Sequence, residues 1–133
     1  MVMRFPLGSR QGPGRDGIIV GAGAVGRRHW KGNQMVLESA EILVKAGMEE
    51  QFEAGVRAAA PLFRRARGCT GMRLSRGVEN PRAYRLLVDW DTVEDHMVHF
   101  RDSADFQEWR RLVGDCFEQA PVVTHLVGAV DGF

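Results

Sequence analysis

The chain has 133 residues, 44% hydrophobic and 26% charged, with a formal net charge of +1. That is one domain's worth of an ordinary globular protein, large enough for its own core. The near-neutral balance excludes a general nucleic-acid partner, and no apolar run approaches the roughly 18 residues that cross a bilayer, so no membrane partner is expected.

The charge is unevenly spread. Residues 1–34 hold six Lys/Arg against one Asp and eight of the sixteen Gly, whereas residues 35–133 hold twelve Lys/Arg against sixteen Asp/Glu. Gly8, Gly12-Pro13-Gly14 and Gly17 punctuate the first stretch, and no helical or strand period persists there. Residues 1–34 are therefore expected to form a disordered leader, and 35–133 the folded domain. Ile18-Ile19-Val20 followed by Gly21, Gly23 and Gly26 matches a dinucleotide-binding fingerprint. The polar Arg27–Asn33 segment leaves no room for the crossover helix such a site needs, so no nucleotide cofactor is expected. Ile18–Val25 is also too short and Gly-diluted for a signal segment. Cys69 and Cys116 lack CxxC spacing, which points to free thiols in a cytoplasmic protein, with a single disulfide as the alternative.

In chain order, Met35–Lys45 is rich in β-branched residues with partial alternation and reads as a strand ended by Ala46-Gly47. Met48–Arg67 has apolar residues at 48, 52, 56, 59, 63 and 66, a helical spacing, with Glu49, Glu50 and Glu53 early and Arg64, Arg65 and Arg67 late, as the helix dipole favours. Pro61 is expected to kink this helix and Gly68 to stop it. Cys69–Arg76 and Arg82–Trp90 form a strand pair through Gly77–Pro81, with Tyr84, Leu86, Val88 and Trp90 on one face. Thr92 caps a short helix that turns Val93, Met97 and Phe100 inward. Ser103 caps a second, which buries Phe106, Trp109, Val113 and Cys116/Phe117. Pro121 ends the helical register and Val122–Val130 is the last strand.

The order is β-α-β-β-α(α)-β, a ferredoxin-like α+β plan with a four-stranded antiparallel sheet. Helices on one face leave the other uncovered, so a homodimer is the expected partner arrangement.

Residues 68–127 carry four motifs: G-C-x-G-M-x-L-x-R-x-x-E-x-P, Y-R-L-L-V-x-W-x-T-x-E-D-H, F-R-x-S-x-x-F-x-E-W-R-x-L and P-V-V-x-H. Together they resemble the antibiotic biosynthesis monooxygenase-like family of dimeric α+β barrel proteins, over roughly 35–130. The resemblance implies oxygenation of electron-rich phenols or quinols by some members without metal or flavin, haem degradation by others, and no known activity for many. The haem-degrading pattern places an Asn in the first strand, a Trp three residues before S-x-x-F and a His four after its Phe. Ala40, Phe100 and Arg110 stand at those places here, so haem chemistry is disfavoured.

A cofactor-free oxygenase needs a base, donors for the developing anion and a dry aromatic pocket for a small aromatic substrate and O2. His96, the His of the E-D-H motif, is the first candidate base, and His125 in the last strand the second. The plainer reading makes both ordinary hydrogen-bonded core histidines. His96-x-x-His99 lacks a third ligand, so no metal is expected. Tyr84, Trp90, Phe100, Phe106 and Trp109 are candidate substrate contacts, with simple core packing as the alternative.

Overall fold

The computed structural model describes Met3–Arg4 and residues 35–133. The strands are β1 (Met3–Arg4), β2 (Val36–Leu43), β3 (Cys69–Arg76), β4 (Ala83–Trp90) and β5 (Val122–Leu126). The helices are α1 (Glu49–Arg64), a π-helix (Asp95–Phe100), α2 (Ala104–Val113) and a 3-10 turn (Gly114–Cys116). The sheet order is β1-β5-β2-β4-β3, with antiparallel pairing throughout. The last four strands in that list form the ferredoxin-like sheet. The two-residue β1 adds an outer edge to β5, while the leader expectation for the rest of 1–34, and the glycine motif within it, lie outside the described residues.

Alternation along β4 builds the core. Tyr84, Leu86, Val88 and Trp90 are all buried under the helices and meet Val36, Glu38, Ala40 and Ile42 of β2 in register. Phe52, Val56, Ala59, Leu62 and Phe63 of α1 close over this face with Phe106, Trp109 and Val113 of α2. The two helices approach so closely at Gly55 that a Cβ there would sit 3.0 Å from the Leu112 carbonyl and from Val113 Cγ1. Pro61 lies within α1, which ends three residues later at Arg64. Gly77 and Asn80 shape the β3–β4 connection through Ala83 N–H to Asn80 O (2.9 Å) and Gly77 N–H to Ala83 O (2.7 Å).

Two expectations are corrected. The final strand stops at Leu126 rather than running to Val130, and Val127 and Val130 are exposed. Leu126 pairs with Leu37, one residue from the end of β2, so a β5 running to Val130 would have no partner there beyond Val36. The segment after Thr92 is a π-helix, with the Arg101 N–H bonding back to the His96 carbonyl at 3.1 Å. Its wider turn buries Asp95, His96 and Phe100 together, whereas Val93 is 41% exposed and Met97 is only half-buried.

Candidate functional site

A chain of polar side chains lies buried where β2, β4, β5 and the π-helix meet. Glu38 and His125 are direct cross-strand partners on the helix-facing side of the sheet. Glu38 is 3% exposed and His96 1%. Trp90 Nε1–H donates to Glu38 Oε1 at 2.9 Å, and His96 Nε2 approaches the same oxygen at 3.4 Å. The other nitrogen of His96, Nδ1, pairs with His125 Nε2 at 2.9 Å. The Trp90 and His96 rings stack at 5.1 Å with 15° between their planes. His125 is half-buried and forms the outer end of the chain.

Local structure explains how His96 arrives there. Gly68 takes φ +79°, and its missing side chain makes way for the Asp95 carboxylate, which any Cβ would overlap. Gly68 O also accepts Asp91 N–H at 2.7 Å, and Thr92 Oγ1 accepts Asp95 N–H at 3.0 Å, so the corner after Trp90 is pinned from both sides. Asp95 and His99 lie on the same short helix but differ in exposure. Asp95 is buried, 3.5 Å from Arg67 Nε, while His99 is exposed.

Burial sets the proton affinities. It raises Glu38 from 4.5 to about 7, against a smaller lowering by the Trp90 hydrogen bond. Burial, reinforced by His125 and Arg101, holds His96 well below the usual imidazole range. Burial likewise lowers His125 to about 4. Around neutral pH both imidazoles are therefore uncharged, and the carboxyl is the member of the chain poised to exchange a proton.

The structure brings His96, His125, Trp90 and Phe100 together and takes Tyr84 elsewhere. Phe100 packs on Trp90 (5.5 Å between centroids), Phe63 (4.8 Å) and Phe106 (5.7 Å), and Trp109 meets Phe63 edge-on at 5.2 Å. Each of these aromatic candidates is at most 5% exposed. Tyr84 lies about 20 Å along β4 from Trp90. There it packs on Phe52 and donates to Glu53 Oε2 at 2.7 Å; burial and that carboxylate push its hydroxyl up to about 12. A depression of about 420 Å3 opens at the Val36 end of β2, the end at which Trp90 pairs with that strand, and is lined by Met35, Val36, Leu37, Asp89, Leu126, Val127 and Gly128. None of the candidate residues lines it.

Glu38 was missed by sequence reasoning. Its one signal was an acid in phase with the apolar Val36, Ala40 and Ile42. Phe63, the hub of the aromatic cluster, also went unmarked except as a core position. Among the described residues, no group of three or more His, Cys, Asp and Glu is placed to hold a metal ion. Glu38 addresses the nitrogen of His96 that faces away from His125, so the three side chains do not converge on one point. Cys69 and Cys116 are free thiols. Among the described residues, no helix is long and apolar enough to cross a membrane.

Fold and site define a ferredoxin-like α+β domain with a buried acid–imidazole chain under its helical layer. Residues 35–112 match the profile of the family described as antibiotic biosynthesis monooxygenase, and the chain belongs to that family. It is 40% identical over 91 residues to the uncharacterized protein YczJ of Bacillus subtilis (strain 168), covering 68% of this chain and 96% of that one. A crystal structure from Bordetella bronchiseptica, whose name places it in the same family, is 57% identical with a TM-score of 0.72, covering 73% of this chain and 99% of that one. A similarly named structure from Nitrosomonas europaea shares the fold at 20% identity and TM-score 0.64, covering 72% of this chain and 91% of that one.

Proposed function

We propose that the protein is a cofactor-independent monooxygenase acting on a phenolic or quinol-type aromatic, working as a cytoplasmic homodimer. The observation that carries this reading is the uncharged His96–His125 pair, held at 2.9 Å in a dry setting beside the face of Trp90. A base shielded from water is what the first step demands, because removing a proton turns such a substrate into an anion that reduces O2 itself. For an anthrone-type substrate the balance is a ring CH2 plus O2 giving C=O plus water, with all four electrons supplied by the substrate. His125 takes the substrate proton and His96 supports it, while Trp90, Phe100, Phe106 and Trp109 form the apolar wall. Leu37, Leu87 and Leu126 on the uncovered sheet face support pairing with a second copy, Leu126 being 50% exposed.

The test is O2 uptake by metal-free protein supplied with 1,8-dihydroxyanthrone or menadiol. Uptake should fall by about 100-fold in His96→Ala. No uptake with either compound, or unchanged turnover in that variant, refutes the reading. A second reading, ligand binding without turnover, is favoured by the depression of about 420 Å3, whose lining holds neither His96 nor His125. It predicts quenching of Trp fluorescence by the same compounds with no O2 consumed.

A further inference from the structure

We propose that Glu38 is the terminal proton acceptor of a three-member relay in which protons enter at His125, cross His96 and come to rest on the buried carboxyl. The proposal leans on the oxygenase reading only for the source of the proton. Glu38 touches no substrate; it acts through His96.

Two neutral imidazoles facing each other can share only one hydrogen, so one ring donates and the other accepts. The 2.9 Å contact between His96 Nδ1 and His125 Nε2 therefore locks their tautomers together. The remaining nitrogen of His96, Nε2, faces Glu38 Oε1. When Glu38 is ionised, Nε2 carries the hydrogen toward the carboxylate, Nδ1 accepts from His125 Nε2–H, and His125 Nδ1 is left as a bare acceptor. When Glu38 is protonated every one of these roles reverses. Trp90 cannot take part in the reversal, because an indole N–H only donates; it holds Oε1 in place in both states.

The proton count closes. A substrate hydroxyl or acidic C–H gives its proton to His125 Nδ1, His125 Nε2–H passes to His96 Nδ1, and His96 Nε2–H passes to Glu38. The substrate gains one negative charge, the carboxylate loses one, and both rings end neutral in the opposite tautomer. No charged imidazole has to persist in the dry interior, where it would be costly. The affinities run the right way: His125 sits at about 4 and Glu38 at about 7, so a proton entering at the outer end settles at the inner one.

Among the described residues, two further titratable or charged groups act on this chain. From β3 comes the Cys69 thiol, raised by its own burial and in lesser part by Glu38; Arg101 acts on His96 from the end of the π-helix.

The experiment titrates the full-length protein, with hydronium as the only ligand. Imidazole tautomers of His96 and His125 are read by long-range proton–nitrogen NMR correlation, and the buried carboxyl by its infrared C=O band. The relay predicts that both rings switch tautomer and the carboxyl protonates with one shared midpoint near neutrality, and that Glu38→Gln abolishes all three changes. Fixed tautomers across the range in which the carboxyl titrates overturn the proposal, as does the same carboxyl band titrating in the variant. The wild-type titration decides even if the variant folds poorly. In O2 uptake with 1,8-dihydroxyanthrone, Glu38→Gln should lower kcat at least tenfold with KM little changed and erase the limb of the pH profile near 7. Coupled switching without O2 uptake from either probe keeps the relay and removes the oxygenase reading. O2 uptake with fixed tautomers does the reverse.

Discussion

Two carboxylates, Glu38 of β2 and Glu53 of α1, lie near opposite ends of β4, and each receives an aromatic side-chain donor from that strand. Glu53 accepts the Tyr84 hydroxyl at 2.7 Å, and Glu38 accepts the Trp90 indole at 2.9 Å. Glu53 also has the Arg76 guanidinium at 3.3 Å, with its side chain 30% exposed. Arg76 covers the Tyr84 ring at 5.4 Å as well. Glu38 has its side chain 3% exposed, with the His96 imidazole at 3.4 Å and no Lys or Arg paired to it among the described residues. A carboxylate paired with a guanidinium at the surface serves as a fastener. The same donor contact in a dry site leaves a carboxyl poised near neutrality, and that difference sets the two ends apart.

The comparison breaks most readily at its aromatic donors. Trp90→Phe leaves Glu38 without its N–H and opens a void beside His96, so urea unfolding should show a loss of about 3 kcal/mol.

Next in size is a pH effect. Because the folded-state value of Glu38 is raised from 4.5 to about 7, its burial is free of penalty at low pH and increasingly destabilising as pH rises through that window. Glu38→Gln should match wild type near pH 4 and exceed it by up to about 3 kcal/mol at pH 8, given about 1.4 kcal/mol per pH decade. His125, lowered from 6.5 to about 4, works oppositely: its contribution is present above 6.5 and lost as pH falls toward 4. His96, also held well below 6.5, adds a second trend of the same sign, so in wild type Glu38 offsets only about half of the combined histidine effect between about pH 4.5 and 6.5. Unfolding midpoints of wild type should therefore climb with pH through that range, and those of the variant about twice as steeply.

Gly68→Ala forces a side chain into left-handed backbone and against Asp95. A cost of roughly 2 kcal/mol is expected, with displacement of His96 visible in its NMR shifts. The smallest effect belongs to Tyr84→Phe, below about 1 kcal/mol, since Glu53 retains Arg76 and solvent. Equal losses for Tyr84→Phe and Trp90→Phe would erase the distinction between the two ends.

Much of the fold was legible locally. The 48–66 spacing placed α1, the alternation of Tyr84, Leu86, Val88 and Trp90 placed the buried face of β4, and Ser103 marked the start of α2, where its Oγ accepts Phe106 N–H at 3.1 Å. His96 and His125 were legible as candidates from residue type and motif, but their contact was not. Tyr84 was grouped with them because strand alternation reports a face without saying how far along it a residue lies.

The sequence by itself determined the order of elements, their buried faces and the family, because periodicity, caps and motifs are properties of neighbouring residues. Only the tertiary structure decided the site. Strand register brought Glu38 opposite His125 and within reach of Trp90, 52 positions away, and the wide turn of the π-helix rotated His96 inward between them. Register and helix phase are set by pairing and packing between distant segments. The same packing strips water from an otherwise ordinary glutamate and gives it a proton affinity near neutrality.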